Sequence, residues 1–314
     1  MVQTAWTLAG VTMQNRVMVA SGTYGYGDDC VELADVNRLG GIMTKSLSLK
    51  PREGNPPVRI TETPGGMLNS IGLANIGVHR FIAEKLPFLR TVRTAVFANI
   101  AASSVEEYCE VLRILDEQQG LAGYEINISC PNVKEGGLNF GTSVPMTADI
   151  TKRLRPLTRK PLILKLTPNV THISEFARAA EGEGADAVSV INTLIGMAVD
   201  VKTRKPVLST VTGGLSGPAI KPVALAKVYE TVRSVKIPVI GIGGIMTAHD
   251  ALEFLIVGAS AVEVGTANFI DPAAAMKVAA GIEAYCDEHG VKDAGELVGS
   301  LDAGSGVSVL DSWL

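Results

Sequence analysis

Residues 96–128, VFANIAASSVEEYCEVLRILDEQQGLAGYEINI, carry the pattern that decides the fold. The apolar runs Val96–Ile100 and Tyr124–Ile128 are too short for stable helices and are rich in branched residues, which favours strands. Between them, Ser104–Gln118 has a helical pattern that begins with Ser104 as N-cap and a glutamate three residues later, and ends before Gly120. The stretch therefore predicts a strand, a helix and a second strand.

The same alternation continues on both sides of this unit. Helical patterns cover Ile173–Glu183, Pro222–Ser234 and Ala248–Val257. About eight such units in 314 residues predict an α/β fold, a (β/α)8 TIM barrel. A doubly wound open sheet is the main alternative. No segment indicates a second domain, so we expect residues 1–314 to form one. The other predicted strands are Val17–Ala20, Gly41–Lys45, Leu162–Leu166, Ala187–Ile191, Val239–Gly241 and Ala261–Val264.

Two connections are too long for an ordinary loop between a strand and a helix. One runs from Ser46 to about Asn75, and the other from Asn192 to about Pro218. Each follows a predicted strand, so both are expected over the carboxyl end of the barrel, where barrel enzymes have their active sites.

Composition excludes several classes of function. The net charge is −4 and no basic stripe is present, which disfavours nucleic acid as a ligand. The first residues lack the cationic start of a signal peptide, and no apolar run is long enough to span a bilayer. The four cysteines form no CxxC pair and no histidine has a carboxylate or cysteine at metal-ligand spacing, so we expect no metal. A reducing cytoplasm is the expected location.

Polar residues gather at the predicted carboxyl ends of these apolar strands. Lys45 and Lys165 are the least usual, because lysine is almost never fully buried without a partner. A single strand lysine is more often structural, but two on one rim favour a functional site. Cys130 follows a strand and precedes a proline among polar neighbours, whereas the other cysteines have the pattern of small core residues or surface thiols.

Glycine-rich segments follow the predicted seventh and eighth strands. They are GIGGIMTAHD (241–250) and VGTANF (264–269), at the loops where barrels often bind phosphate. A phosphate there, with lysines and amides around the rim, indicates a phosphorylated cofactor such as a flavin. A lysine near the pyrimidine edge of a flavin stabilises the anion formed on reduction, and a cysteine can act as acid or base.

Nine motifs in order, over nearly the whole chain, resemble the catalytic FMN subunit of the class 1B dihydroorotate dehydrogenases. They are ASGTYGYG (20–27), TKSLSLKPREGNPPVRI (44–60), NSIGLANIG (69–77), NISCPNV (127–133), KLTPNV (165–170), INTLIGMAVD (191–200), GGLSGPAIKP (213–222), GIGGI (241–245) and VGTAN (264–268).

The resemblance implies oxidation of (S)-dihydroorotate to orotate in pyrimidine biosynthesis, with one FMN per chain. It makes Cys130 the base that takes a proton from C5 while hydride leaves C6 for flavin N5. It assigns to FMN the residues Ser21, Lys45, Ser46, Asn99, Asn127, Lys165, Ile191, Gly217, Gly243, Gly244, Gly265 and Thr266. It assigns to the substrate Lys45, Asn69, Ser70, Ile71, Gly72, Leu73, Asn127, Asn192 and Thr193.

The resemblance also implies a partner. Class 1B chains form a homodimer core within a heterotetramer, whose second subunit carries FAD and a [2Fe–2S] cluster and passes electrons to NAD. The cysteine base and the lack of an amino-terminal helical extension disfavour the quinone-linked class 2. Three alternatives remain: a class 1A homodimer using fumarate, a flavin barrel like dihydropyrimidine dehydrogenase, and a non-redox aldolase or isomerase that binds a phosphate.

Overall fold

The fold is a closed barrel of eight parallel strands, paired in chain order. A computed structural model describes residues 2–128, 140–306 and 308–312. The eighth strand pairs with the first, Glu263 standing opposite Met18, so the TIM barrel is confirmed and the open sheet is wrong. That residues 1–314 are one domain stays a prediction. The strands are β1 (Val17–Val19), β2 (Gly41–Met43), β3 (Ala95–Ile100), β4 (Gly123–Asn127), β5 (Leu162–Leu166), β6 (Ala187–Val190), β7 (Val239–Ile242) and β8 (Ala261–Val264).

Helices surround the barrel, and the four predicted from the sequence are present. The Ser104 hydroxyl accepts a hydrogen bond from the Glu107 amide at 3.1 Å, as expected of an N-cap. The α-helices are Val78–Arg80, Leu86–Leu89, Val105–Asp116, Val144–Leu154, Ile173–Gly182, Lys221–Val232, Ala248–Val257, Ala267–Ile270 and Ala274–His289, with a π-helix at Phe81–Lys85. Within the described residues, no helix combines the length and the apolar character needed to cross a bilayer.

The connection from β1 to β2 departs from the expected strand-helix alternation. It contains two 3₁₀ turns, Asp28–Cys30 and Val36–Arg38, and no α-helix. Gly22, Gly25 and Gly27 have φ angles of 85°, 53° and 92°, in the left-handed region that a right-handed helix excludes. These glycines turn the chain tightly across the rim.

A hairpin of Trp6–Leu8 and Val11–Met13 covers the amino end of the barrel and has no counterpart among the predicted elements. Its Trp6, Leu8 and Met13 pack in one apolar cluster with residues inside the barrel. This cluster excludes water from the lower part of the lumen.

The two long connections meet over the opposite end of the barrel. Strands from both form one antiparallel sheet, in the order Leu194–Met197, Thr212–Ser216, Gly66–Asn69 and Ile60–Thr63. Asn69 stands opposite Gly214 across the junction of the two connections. The sheet therefore holds the first connection in a fixed position at the rim.

Candidate active site

A cluster of charged and polar side chains fills the barrel lumen near the carboxyl ends of the strands. Lys165 Nζ lies 3.3 Å from Glu125 Oε1 and 3.2 Å from Glu263 Oε2. Because β5 and β8 are not neighbours in the barrel, the contact between Lys165 and Glu263 crosses the lumen. Glu125 also accepts hydrogen bonds from the Ser189 hydroxyl, at 2.8 Å, and from the Asn99 amide. The ammonium is therefore paired and aligned before any ligand binds.

The charges in this cluster act on one another strongly because water is excluded. Burial disfavours the Lys165 ammonium, but Glu125 and Glu263 outweigh burial and raise the pKa of Lys165 above its usual value. Burial, reinforced by the negative charge of Glu125, raises the pKa of Glu263 well above that of an ordinary glutamate. Lys165 is therefore a permanent cation in this site.

The upper side of the cluster continues into the two predicted substrate amides. Asn127 ends β4, where its carbonyl accepts a hydrogen bond from the Tyr108 hydroxyl at 2.6 Å. Its side-chain oxygen lies 3.4 Å from Asn192 Nδ2, and Asn192 Oδ1 accepts from the Thr193 amide at 2.8 Å. Asn169 Nδ2 donates to the Thr193 carbonyl at 3.0 Å. The structure thus brings Asn127, Asn192 and Thr193 together.

Residues 69–73 run from the end of the Gly66–Asn69 strand into a turn. Gly72 and Leu73 both have positive φ angles, 75° and 58°. Asn55 donates from Nδ2 to the Ser70 carbonyl at 2.9 Å, and a Cβ on Gly72 would lie 2.6 Å from the Asn55 amide nitrogen. Asn75 donates to the Leu73 carbonyl at 2.7 Å. The turn is therefore fixed from both sides.

The same turn presents features that fit a small anion. The Ser70 hydroxyl is buried and has no hydrogen-bond partner among the described residues. The Arg59 carbonyl accepts from the Ser70 amide at 2.7 Å, which places Arg59 beside the turn. Burial and the positive charge of Arg59 lower the pKa of half-buried Lys45. Two cations and an unsatisfied hydroxyl favour a ligand with negative charge and polar edges.

Three glycine-containing loops meet on the side of the barrel formed by β6, β7 and β8. Gly217, Gly243 and Gly244 have φ angles of 98°, 131° and 74°. A Cβ on Gly244 would lie 2.9 Å from the Gly217 carbonyl oxygen, and one on Gly217 would lie 3.6 Å from Thr266 Cγ2. Gly265 is less crowded, since its nearest neighbour would be 3.6 Å from an added Cβ. The loops expected to bind a phosphate are thus adjacent.

Three further predicted residues lie just after the carboxyl ends of barrel strands. The Ser46 hydroxyl donates to Asn99 Oδ1 at 2.5 Å, which links it to the cluster around Lys165. Ile191 is buried and its amide donates to the Ile242 carbonyl at 3.0 Å. Ser21 lies two residues after the end of β1 and is half-buried. Cys130, the predicted base, lies outside the described residues.

Sequence reasoning missed both glutamates. Glu125 and Glu263 interrupt apolar strands in the same way as Lys165, and that irregularity was the signal available in the sequence. It also missed that His249, Asp250 and Glu253 have ligand atoms within 4.8 Å of one another. Both of those carboxylates bind Lys221 Nζ at 2.6 Å, so an ammonium already pairs with the two acidic members of the group. The expected absence of a metal stays a prediction.

Comparison with known proteins identifies the family. The family profile described as dihydroorotate dehydrogenase matches residues 3–285. The chain is 55% identical over 294 residues to "Dihydroorotate dehydrogenase B (NAD(+)), catalytic subunit" of Geotalea uraniireducens, covering 94% of this chain and 96% of that protein. The protein so described from Geobacter sulfurreducens is 54% identical over 295 residues, covering 94% and 97%.

A solved structure gives the same fold. The structure described as DHODH in complex with ferulenol, from Eimeria tenella, superposes with a TM-score of 0.81 at 21% identity, covering 95% of this chain and 88% of that one. The identity is low, so this likeness concerns the fold alone. Taken with the sequence matches, the barrel and its polar rim show that the chain belongs to the dihydroorotate dehydrogenase family and groups with its NAD(+)-linked B catalytic subunits.

Proposed function

We propose that this chain oxidises (S)-dihydroorotate to orotate in pyrimidine biosynthesis. The observation that carries the proposal is the arrangement at one rim: a buried, paired Lys165 near the side-chain amides of Asn127 and Asn192, with two further cations, Lys45 and Arg59, at the same rim. Dihydroorotate is a small anion with a carboxylate and an imide, so it matches these cations and amides in charge and hydrogen-bonding capacity.

FMN is the cofactor that we propose. The lumen supports it because Lys165 is a buried cation at the mouth, and the adjacent loops at Gly217, Gly243, Gly244 and Thr266 can present backbone N–H groups to a phosphate. When bound, FMN would supply the acceptor, N5, for the hydride that leaves C6 of the substrate. The chain's residues that would hold it are Ser21, Lys45, Ser46, Asn99, Asn127, Lys165, Ile191, Gly217, Gly243, Gly244, Gly265 and Thr266.

The substrate would lie between Asn127, Asn192 and the turn at residues 69–73. The side-chain amides supply both donors and acceptors to the ring edges, and Tyr108 and Asn169 keep them in position. Lys45 is half-buried and would pair with the substrate carboxylate. We propose that Cys130 takes the C5 proton, an assignment supported by the family motif NISCPNV.

The relatives from Geotalea and Geobacter are described as catalytic subunits, which supports a second subunit. We propose that this partner carries FAD and a [2Fe–2S] cluster, receives the electrons and passes them to NAD, and that two copies of this chain form the core of a heterotetramer. The cytoplasmic location is part of the same proposal. A class 1A homodimer using fumarate would purify without such a partner and would reduce fumarate directly.

An anaerobic visible spectrum tests the activity. The purified chain is expected to be yellow, and addition of dihydroorotate should bleach the flavin absorbance and yield one orotate per flavin. 5,6-Dihydrouracil or 5,6-dihydrothymine, the electron donors that a dihydropyrimidine dehydrogenase-like barrel would oxidise, should leave the spectrum unchanged. A colourless protein, or a flavin that dihydroorotate does not reduce, would refute the proposal.

Replacing Cys130 tests the base separately. Cys130→Ser should slow flavin reduction at neutral pH by about 10²-fold or more, because a hydroxyl is a much weaker base than a thiolate. Cys286→Ala is the matched control, since Cys286 is buried in the packing of the Ala274–His289 helix and should leave the rate unchanged. Equal rates in wild type and Cys130→Ser, or a large loss in Cys286→Ala, would show that the wrong thiol is assigned.

A further inference from the structure

The two glutamates beside Lys165 are not equivalent. Glu125 accepts hydrogen bonds at both oxygens, from Ser189, Asn99 and Lys165. Glu263 accepts one, from Lys165 to Oε2 at 3.2 Å. Its other oxygen, Oε1, has no partner among the described residues, and the whole residue is buried. A carboxylate oxygen left without a donor in a water-free site is costly.

The charge balance of the cluster also makes an ionised Glu263 unfavourable. Glu125 and Glu263 face a single ammonium, so two ionised carboxylates would leave a net negative charge inside the barrel. The neighbours of Glu263 on the adjacent strands, Ile242 on β7 and Met18 on β1, are apolar and offer no compensation. The charged side chains in contact with it, among those described, are Glu125 and Lys165 alone.

A proton on Glu263 would remove both the unpaired carboxylate oxygen and the excess negative charge. A protonated carboxyl group is a donor as well as an acceptor. Glu125 is the carboxylate within hydrogen-bonding reach of Glu263, so a proton on Glu263 gives its carboxyl group a partner and makes the three-residue cluster neutral. We propose that Glu263 is a positioning residue that carries a proton at neutral pH and donates it to Glu125, holding Glu125 and Lys165 as a one-to-one ion pair. The raised pKa of Glu263, caused by burial and then by Glu125, agrees with this.

The proton on Glu263 changes the net charge that a bound flavin would meet at Lys165, and this step rests on the proposed function. Reduction of a flavin bound at this rim would add negative charge near Lys165. A cluster with both glutamates ionised has a net negative charge and would oppose the added charge, whereas a neutral cluster has no net charge to oppose it. Glu263 thus acts through Lys165, with which its carboxyl group is in contact.

Infrared difference spectroscopy of the purified full chain tests the proton directly. Labelling with ¹³C-glutamate shifts the carbonyl band of a protonated glutamic acid and leaves flavin carbonyls in place. Wild type at neutral pH should show one such band, and Glu263→Gln should lack it. Glu230→Gln is the matched control and should keep it, because buried Glu230 accepts from the Ser174 amide at 3.0 Å and from Lys227 Nζ at 3.2 Å.

Flavin binding supplies a second measurement. Glu263→Gln keeps a neutral group of the same shape, so its affinity for FMN should stay within about twofold of wild type, whereas Glu125→Gln removes a charged acceptor and should weaken binding about tenfold or more. Absence of the acid band in folded wild type, or its persistence in Glu263→Gln, would overturn the proposal, as would equal losses of FMN affinity in the two variants. The infrared band does not depend on dihydroorotate, so it can fail or succeed independently of the proposed activity.

Discussion

Inside the barrel, two layers of side chains lie only two residues apart along the strands and differ completely in chemistry. The lower layer is apolar and belongs to the cluster that the amino-terminal hairpin covers. The upper layer contains the ion cluster and its polar partners. The paired positions are 97 and 99 on β3, 163 and 165 on β5, 187 and 189 on β6, and 261 and 263 on β8.

The difference separates stability from chemistry within one set of strands. Side chains at i and i+2 lie on the same face of a strand, so each strand contributes one residue to a water-free base and one to the site above it. The hairpin excludes water from below, which lowers the local dielectric and strengthens every charge interaction in the layer above. A change in the lower layer should therefore alter stability, and a change that alters the charge of the upper layer should alter flavin binding.

The largest effect is expected from Lys165→Met. It leaves two buried carboxyl groups without a cation, which should lower the free energy of unfolding by about 3 kcal/mol or more, and it should also abolish retention of flavin. Flavin per chain after gel filtration and urea unfolding measure the two effects. Full flavin content in this variant would contradict the claim that the upper layer governs flavin binding.

Phe97→Ala probes the lower layer. Phe97 is fully buried and its ring covers Gly123, where an added Cβ would lie 2.9 Å from the ring. The cavity should cost about 3–5 kcal/mol of unfolding free energy. Flavin content of the folded fraction should equal that of wild type in the same assay. A selective loss of flavin would show that the two layers are coupled.

Glu263→Gln should change how stability depends on pH. The pKa of Glu263 is raised in the folded chain, so the folded state keeps a proton that the unfolded state releases above its usual pKa. The contribution of this proton to the free energy of unfolding is complete below the unfolded-state pKa and is lost as pH rises through the folded-state pKa. Between about pH 5 and 7, wild-type unfolding free energy should fall by about 1.4 kcal/mol per pH unit more steeply than that of Glu263→Gln. Parallel curves in urea titrations would contradict a protonated Glu263.

Ser104→Ala should have the smallest effect. It removes the N-cap of Val105–Asp116, the helix that carries Tyr108, and should cost about 1 kcal/mol of unfolding free energy. Flavin content and the Michaelis constant for dihydroorotate should not change, since the other contacts of the helix remain. A raised Michaelis constant would mean that the cap also positions Asn127 through Tyr108.

Local periodicity was enough to predict the barrel strands and four helices, because each strand is a short buried run and each helix has its own start and stop signals. It could not predict the sheet over the rim. Ile60–Thr63 and Leu194–Met197 are half exposed, so no buried apolar run marks them in the sequence. Their sheet is held together by pairing between segments that are far apart in the sequence, such as those of Asn69 and Gly214. The glycines between β1 and β2 excluded the helix that simple alternation demanded.

The candidate site was predicted unevenly for a similar reason. Lys165, Asn127 and Asn192 stand at strand ends and could be found one at a time. The cross-lumen contact of Lys165 with Glu263 joins residues on strands that are not neighbours, so it follows from barrel closure and from nothing local. The orphaned Ser70 hydroxyl likewise emerges only after Asn55 and Asn75 have fixed the turn.

The most direct test of the account is the reduction potential of the bound flavin in wild type, Phe97→Leu and Lys165→Arg, measured anaerobically against reference dyes. Phe97→Leu changes the lower layer conservatively and should keep the wild-type potential. Lys165→Arg keeps the cation but misplaces it between Glu125 and Glu263, and should shift the potential to more negative values. An unchanged potential in Lys165→Arg, or an equal shift in Phe97→Leu, would contradict the claim that the upper layer alone sets the chemistry.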